Sequence, residues 1–99
     1  MYKKTDKRRI YELMEIYLSN EIDAWTFCDE FYYCYDLELD SDILTELEAE
    51  VFSELAIVSG RFSKFEEDLK KYPGTYFTEE QLKLKILDSK CKLKEQKLL

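Results

Sequence analysis

Leu44, Leu47, Val51, Leu55, Val58 and Phe62 recur at spacings of three, four, four, three and four residues, which puts all six on one face of an α-helix. A helix with so continuous an apolar stripe must be covered by other helices or by a sheet. Sheets are disfavoured here, because 2 glycines and 1 proline are too little punctuation for the many tight turns of a sandwich or barrel. Apolar material is ample, with 15% aromatic residues, and 99 residues are enough for one domain burying roughly two-thirds of its unfolded surface. The expectation is a single all-α domain over residues 1–99.

Other helices are legible from caps and stripes. Ile10, Leu13, Met14, Tyr17 and Leu18 share one helical face, with Thr5 or Asp6 as the cap. Asp23 caps a second helix from about Ala24, with Ile22 placed to staple onto Phe27. Its apolar positions wrap widely (Phe27, Phe31, Cys34 and Tyr35 beside Trp25, Cys28 and Tyr32), which predicts a central position. Asp36 to Asp40 alternates polar with apolar and reads as a loop leading to a cap at Asp40 or Ser41. Past the third helix, Gly60 and the Ser63-x-x-Glu66 pattern suggest a kink and a short segment over Lys64 to Lys71, ended by Pro73-Gly74. Thr78 with Gln81 forms another capping-box pattern opening a last helix near Glu79, which carries Leu82, Ile86 and Leu93. The sum is an antiparallel four-helix bundle with a short extra helical segment after helix three.

Chemistry is narrowed by what is missing. Without histidine, the usual general base, the Ser-His-Asp and Cys-His pairs and the Glu-x-x-His di-iron signature are excluded. Two isolated glycines build no phosphate-cradling loop. The aspartates at 36, 40 and 42 lack the central glycine and distal glutamate of an EF-hand, and Cys28, Cys34 and Cys91 lack zinc spacing and read as reduced core thiols. No catalysis, cofactor or metal is expected. Tyr17 and Tyr35 read as core, and Tyr33 as exposed. No apolar run approaches the ~20 residues of a membrane span, and the basic start leads into an amphipathic pattern, not a signal peptide, so a cytoplasmic protein is expected.

The charge pattern points to a partner. Between Glu12 and Asp68 seventeen acids face only Arg61 and Lys64, while each end of the chain carries a net +4, giving −7 overall. Solubility requires no such concentration, which costs self-repulsion and projects a strong negative potential. Glu46, Glu50 and Glu54 recur every four residues without an interleaved lysine, so their heads stand roughly 5–6 Å apart along one side of the third helix. Glu66, Glu67 and Asp68 add a second cluster. A carboxylate row of this pitch imitates a phosphate backbone and suits the Lys/Arg groove of a nucleic-acid enzyme, whereas it repels nucleic acid itself.

The stretch from Leu13 to Phe27, through Leu13, Tyr17-Leu18, Ile22, Ala24 and Phe27, resembles the opening of the colicin D immunity protein family. Glu54-Leu55, Ala56 and Arg61-Phe62, followed by an acidic segment, resemble the family's third helix and its exit. The resemblance implies a helical bundle that inhibits a cognate nuclease toxin, tRNA-cleaving in the namesake, with acidic side chains set into its basic active site. It carries over Arg61 as a structural or contact residue and Phe62 as core. This chain departs from the family pattern in having Gly60 before the Arg-Phe pair, with Ser63 and Lys64 delaying the acids to Glu66.

The expected function is therefore an immunity protein, monomeric or weakly dimeric when alone, that binds a basic nuclease toxin domain through Glu46, Glu50, Glu54, Arg61, Glu66, Glu67 and Asp68. The rival readings are a helical assembly module whose acidic face is merely solvated and, more remotely, a carboxylate metalloenzyme.

Overall fold

A computed structural model describes residues 3–63, 66–72 and 74–97, the side chains of Ser41, Glu66, Asp68, Glu95, Gln96 and Lys97 lying outside the description. Among the described residues the chain forms α1 (Arg8–Leu18), α2 (Ala24–Tyr32), a π-helical extension of α2 (Tyr33–Glu38), a 3₁₀ turn (Ser41–Ile43), α3 (Glu46–Gly60), α4 (Glu66–Lys71) and α5 (Glu79–Lys97). This is the expected all-α bundle, four longer helices and a short one after the third.

Local chemistry sets the helix ends. The cap position of α1 is Lys7, which gives no side-chain cap, one residue past the expected Thr5 or Asp6; Asp6 Oδ1 accepts from the Arg8 amide at 3.0 Å from just upstream. At the other end Asn20 adopts a left-handed φ of 66°. Its amide donates to the Tyr17 carbonyl and that of Glu21 to the Ile16 carbonyl, a Schellman stop made with asparagine in place of glycine. Asp23 Oδ1 accepts from the Thr26 amide at 2.8 Å, capping α2 as expected.

Two boundaries differ from the sequence reading. The expected loop from Asp36 starts only at Leu39, because no Gly or Pro ends α2 and the helix runs on with a widened turn in which the Leu39 amide donates to the Cys34 carbonyl at 2.8 Å. This five-residue step brings Leu39 back onto the core above the buried Cys34 and leaves Leu37 exposed. Asp40 then caps only the 3₁₀ turn, through the Asp42 amide. The cap of α3 is Thr45, whose hydroxyl accepts from the Glu48 amide at 3.1 Å while Glu48 Oε1 accepts from the Thr45 amide at 2.9 Å.

Helix α3 buries Val51, Leu55 and Val58 from the expected stripe, and Phe52 beside it, because it packs on α2 along one side and on α5 along another. Its exit is fixed by a bridge between Phe62 and Phe77, where the Phe77 amide donates to the Arg61 carbonyl at 2.8 Å and the Ser63 amide to the Phe77 carbonyl at 2.9 Å. α4 is thus a side excursion between two tied points. The expected Ser63–Glu66 box and Pro73 stop fall on groups outside the described residues, but Gly74 takes a left-handed φ of 82° where the chain turns back. Thr78 and Gln81 exchange both capping bonds at the start of α5.

At the centre, Phe27, Phe31 and Phe52 are fully buried. Each such side chain contributes about 1.5–3 kcal/mol from burial. Tyr17 and Tyr35 extend the aromatic column as expected, Tyr17 against Phe27 at 5.4 Å and Tyr35 stacked on Phe31 at 5.4 Å. The cysteines are not uniformly core: Cys34 is buried and Cys28 half-buried, but Cys91 is exposed. Leu82, Ile86, Ser89 and Leu93 occupy the inner face of α5 and leave Cys91 off it.

Candidate functional site

The basic ends of the chain fold back onto its acidic middle, and where they land decides which carboxylates remain for another molecule. Lys7 donates to Glu48 Oε1 at 2.8 Å and to the Ile43 carbonyl at 3.2 Å, and the Tyr11 hydroxyl donates to Glu48 Oε2. Glu48 is only 2% exposed. Burial pushes its carboxyl up, but the Lys7 ammonium, the Thr45 amide and the Tyr11 hydroxyl together outweigh that and hold it below the usual 4.5. Buried Arg9 binds Glu12 at 2.8 Å and Glu30 at 3.4 Å. From the other end, Lys90 reaches Glu15 at 2.6 Å, and Lys85 and Lys92 reach Glu54 at 3.2 and 3.4 Å. Five of the seventeen middle acids are thereby tied to terminal cations.

The expected row on α3 is accordingly not uniform. Glu46 and Glu50 are exposed and make no ion pair among the described residues. Glu54 is different, since hydrogen bonding and charge from Lys85, then from Lys92, lower its pKa. No lysine is interleaved within α3, but α5 supplies two from alongside. Arg61 is exposed as the residue capping the C-terminus of α3, about 22 Å along the helix from Glu46 at 1.5 Å per residue. Glu67 is exposed on α4, and the side chains of Glu66 and Asp68 lie outside the described residues. The described members of the expected set are thus spread along α3, with Glu46 and Glu50 towards its start, Glu54 midway and Arg61 at its end, and do not form one patch.

A further set of acids carries the exposed charge. Asp29, Asp36, Glu38, Asp40 and Asp42 are exposed along α2, its extension and the connection to α3, and none forms an ion pair among the described residues. Among them stand Tyr32, Tyr33 and Leu37, 51%, 47% and 56% exposed. Tyr33 was expected at the surface, whereas Tyr32 was placed on an inner stripe. The missed signal is the series Asp29, Tyr32, Tyr33 and Asp36, which falls at i, i+3, i+4 and i+7 and so shares a side of one helix.

The buried thiols and the Tyr17 hydroxyl are held in their protonated forms and are not activated as nucleophiles. Burial pushes the Cys28 thiol up to about 12 and that of Cys34 up to about 11, and burial likewise raises the Tyr17 hydroxyl to about 12. Among the described residues no group of three or more His, Cys, Asp or Glu is arranged to hold a metal ion. No helix among them is long and apolar enough to cross a membrane.

A charged helical bundle of this kind is matched from residue 7 to residue 93 by the family model for bacterial self-protective colicin-like immunity. The chain belongs to this family. It is therefore an immunity protein, an inhibitor and not a catalyst, which protects against a bacteriocin toxin by binding it. The matched span runs from Lys7, which clamps Glu48, to Leu93 on the inner face of α5, and so takes in every buried core residue among the described ones. No curated protein and no solved structure matches the chain.

Proposed function

We propose that the toxin bound by this immunity protein is a basic nuclease domain, of the tRNA-cleaving kind implied by the resemblance to colicin D immunity proteins. Inhibition takes place in the cytoplasm, where carboxylates of the immunity protein enter the groove that otherwise holds substrate phosphates. One observation carries this reading: from Asp29 to Glu50 runs a set of exposed carboxylates that form no ion pair among the described residues, although the chain's own lysines reach Glu48 and Glu54 close by. Carboxylates about 5–6 Å apart on a helix present charge at a pitch that a phosphate-binding groove accepts.

Glu46 and Glu50 are the most accessible members of the contact set, with Arg61 and Glu67 at the far end of α3. Glu66 and Asp68 belong to it by sequence, whereas Glu54, held by Lys85 and Lys92, stays with the bundle and contributes little to the encounter. Such a field steers association towards ~10⁸ M⁻¹s⁻¹ or above at low salt. The test is calorimetry between the immunity protein, a monomer in this reading, and a candidate basic nuclease toxin domain, with RNA cleavage assayed in parallel. Expected are a 1:1 complex that weakens as salt rises and a silenced nuclease. Salt-independent binding, or RNA cleavage that persists in the complex, contradicts the proposal.

A further inference from the structure

We infer that the energetic anchor of the complex is the outer ridge of α2 and its π-helical extension, where the rings of Tyr32 and Tyr33 seat a lysine or arginine side chain of the toxin between Asp29 and Asp36. This rests on the reading above that the toxin is basic.

The ridge is continuous by helix geometry. Asp29 lies three and four residues before the two tyrosines, and Asp36 four and three after them. The wider turn that begins at Tyr33 brings Leu37 round beside the tyrosines and not into the core. The two rings meet edge to face at 5.9 Å. About half of each tyrosine is exposed, in a molecule whose other aromatic residues in α2, Trp25, Phe27 and Phe31, are half or fully buried. Large half-exposed rings bordered by carboxylates are the composition of a binding hot spot, not of a solvated helix face.

The seat already takes a cation. Lys4 of the same chain holds its ammonium 5.0 Å from the centre of the Tyr33 ring. An ammonium over a ring face is the arrangement a toxin lysine or arginine reproduces on binding, with Asp29 and Asp36 on the same side of the helix. Isolated surface ion pairs contribute little to affinity, so the acids by themselves steer the encounter while the aromatic seat slows dissociation. An apolar groove of about 580 Å³ between α1 and α5 is bordered by Lys90 and Lys94 against Glu15 alone and offers no negative excess to a basic partner.

The experiment uses the purified immunity protein and a candidate basic nuclease toxin domain, with affinity and dissociation rate measured for Tyr32→Leu, Tyr33→Leu, Tyr33→Phe and Lys4→Ala. Each leucine variant is expected to weaken binding at least tenfold, mainly through faster dissociation, with an unchanged unfolding midpoint. Tyr33→Phe keeps the ring and is expected within twofold of the wild type, and Lys4→Ala is expected to bind equally or more tightly. In the unaltered complex, backbone amides of residues 29–38 are expected to gain protection from hydrogen exchange. If the wild type binds but both leucine variants stay within twofold of it, or residues 29–38 gain no protection, the ridge is not the anchor and the basic partner stands. If the wild type does not bind the domain at all, the reading of a basic partner falls with it.

Discussion

The carboxylates of α3 and those of α2 meet the same basic chain ends with opposite outcomes. On α3, Glu48 is enclosed by Lys7, Tyr11 and the Thr45 amide, and Glu54 is held by Lys85 and Lys92. On the outer side of α2 and its extension, Asp29, Asp36 and Glu38 have no ion-pair partner among the described residues. An acidic excess that looks homogeneous in the sequence divides into a part that holds the bundle together and a part left exposed, the part proposed to meet the toxin. What separates them is which carboxylates the terminal helix and the N-terminal segment pass over.

The largest effect expected from this division is on stability. Glu48→Ala strips a buried carboxylate from Lys7, Tyr11 and the start of α3, and is expected to cost about 2–4 kcal/mol, Lys7 being partly solvated. Urea denaturation checks this against Asp36→Ala, which is expected to leave the midpoint unchanged. Equal losses in the two variants break the comparison. The helix starts give a finer contrast. Thr45→Ala disrupts a capping box whose glutamate is buried and should cost about 1–2 kcal/mol, whereas Thr78→Ala, whose box with Gln81 is solvated, should cost about 0.5–1 kcal/mol.

Acidity sharpens the same contrast with a smaller effect. The Glu48 carboxyl titrates below its usual 4.5 in the folded protein, so the unfolded chain takes up its proton first as pH falls. The stabilisation it provides is complete above about pH 4.5 and is lost as pH drops through the lower folded value. Denaturation of the wild type and Glu48→Gln from pH 7 to pH 3 is expected to show a stability gap that narrows on acidification. A gap that stays constant or widens contradicts the assignment.

Much of the fold was legible because its determinants are local. Asp23, the Thr78–Gln81 box and the stripes through Ile10 to Tyr17, Val51 to Val58 and Leu82 to Leu93 act within a few residues of themselves. The same logic could have found Thr45-x-x-Glu48, but the aspartates at 40 and 42 drew the cap upstream to a position that closes only one 3₁₀ turn. The π-helical run was hidden because Asp36 to Asp40 alternates like a loop, while the absence of a breaker lets the helix continue. The candidate site was less legible. Arg9 with Glu30, Lys90 with Glu15 and Lys85 with Glu54 lie 21 to 75 positions apart, and no spacing rule connects such residues before the helices have packed. The row at Glu46, Glu50 and Glu54 was therefore expected as a unit, although α5 removes its last member.

The most direct test is the association rate of the immunity protein with a candidate basic nuclease toxin domain, measured by stopped flow at low salt. A variant carrying Asp29→Asn, Asp36→Asn and Glu38→Gln is compared with Glu54→Gln. Unpaired carboxylates on α2 should govern the encounter, so the triple variant is expected to associate about tenfold more slowly and Glu54→Gln within twofold of the wild type. Slowing by Glu54→Gln as great as that of the triple variant, or an unchanged rate in the triple variant, would contradict the division between carboxylates that hold the bundle and carboxylates that meet the toxin.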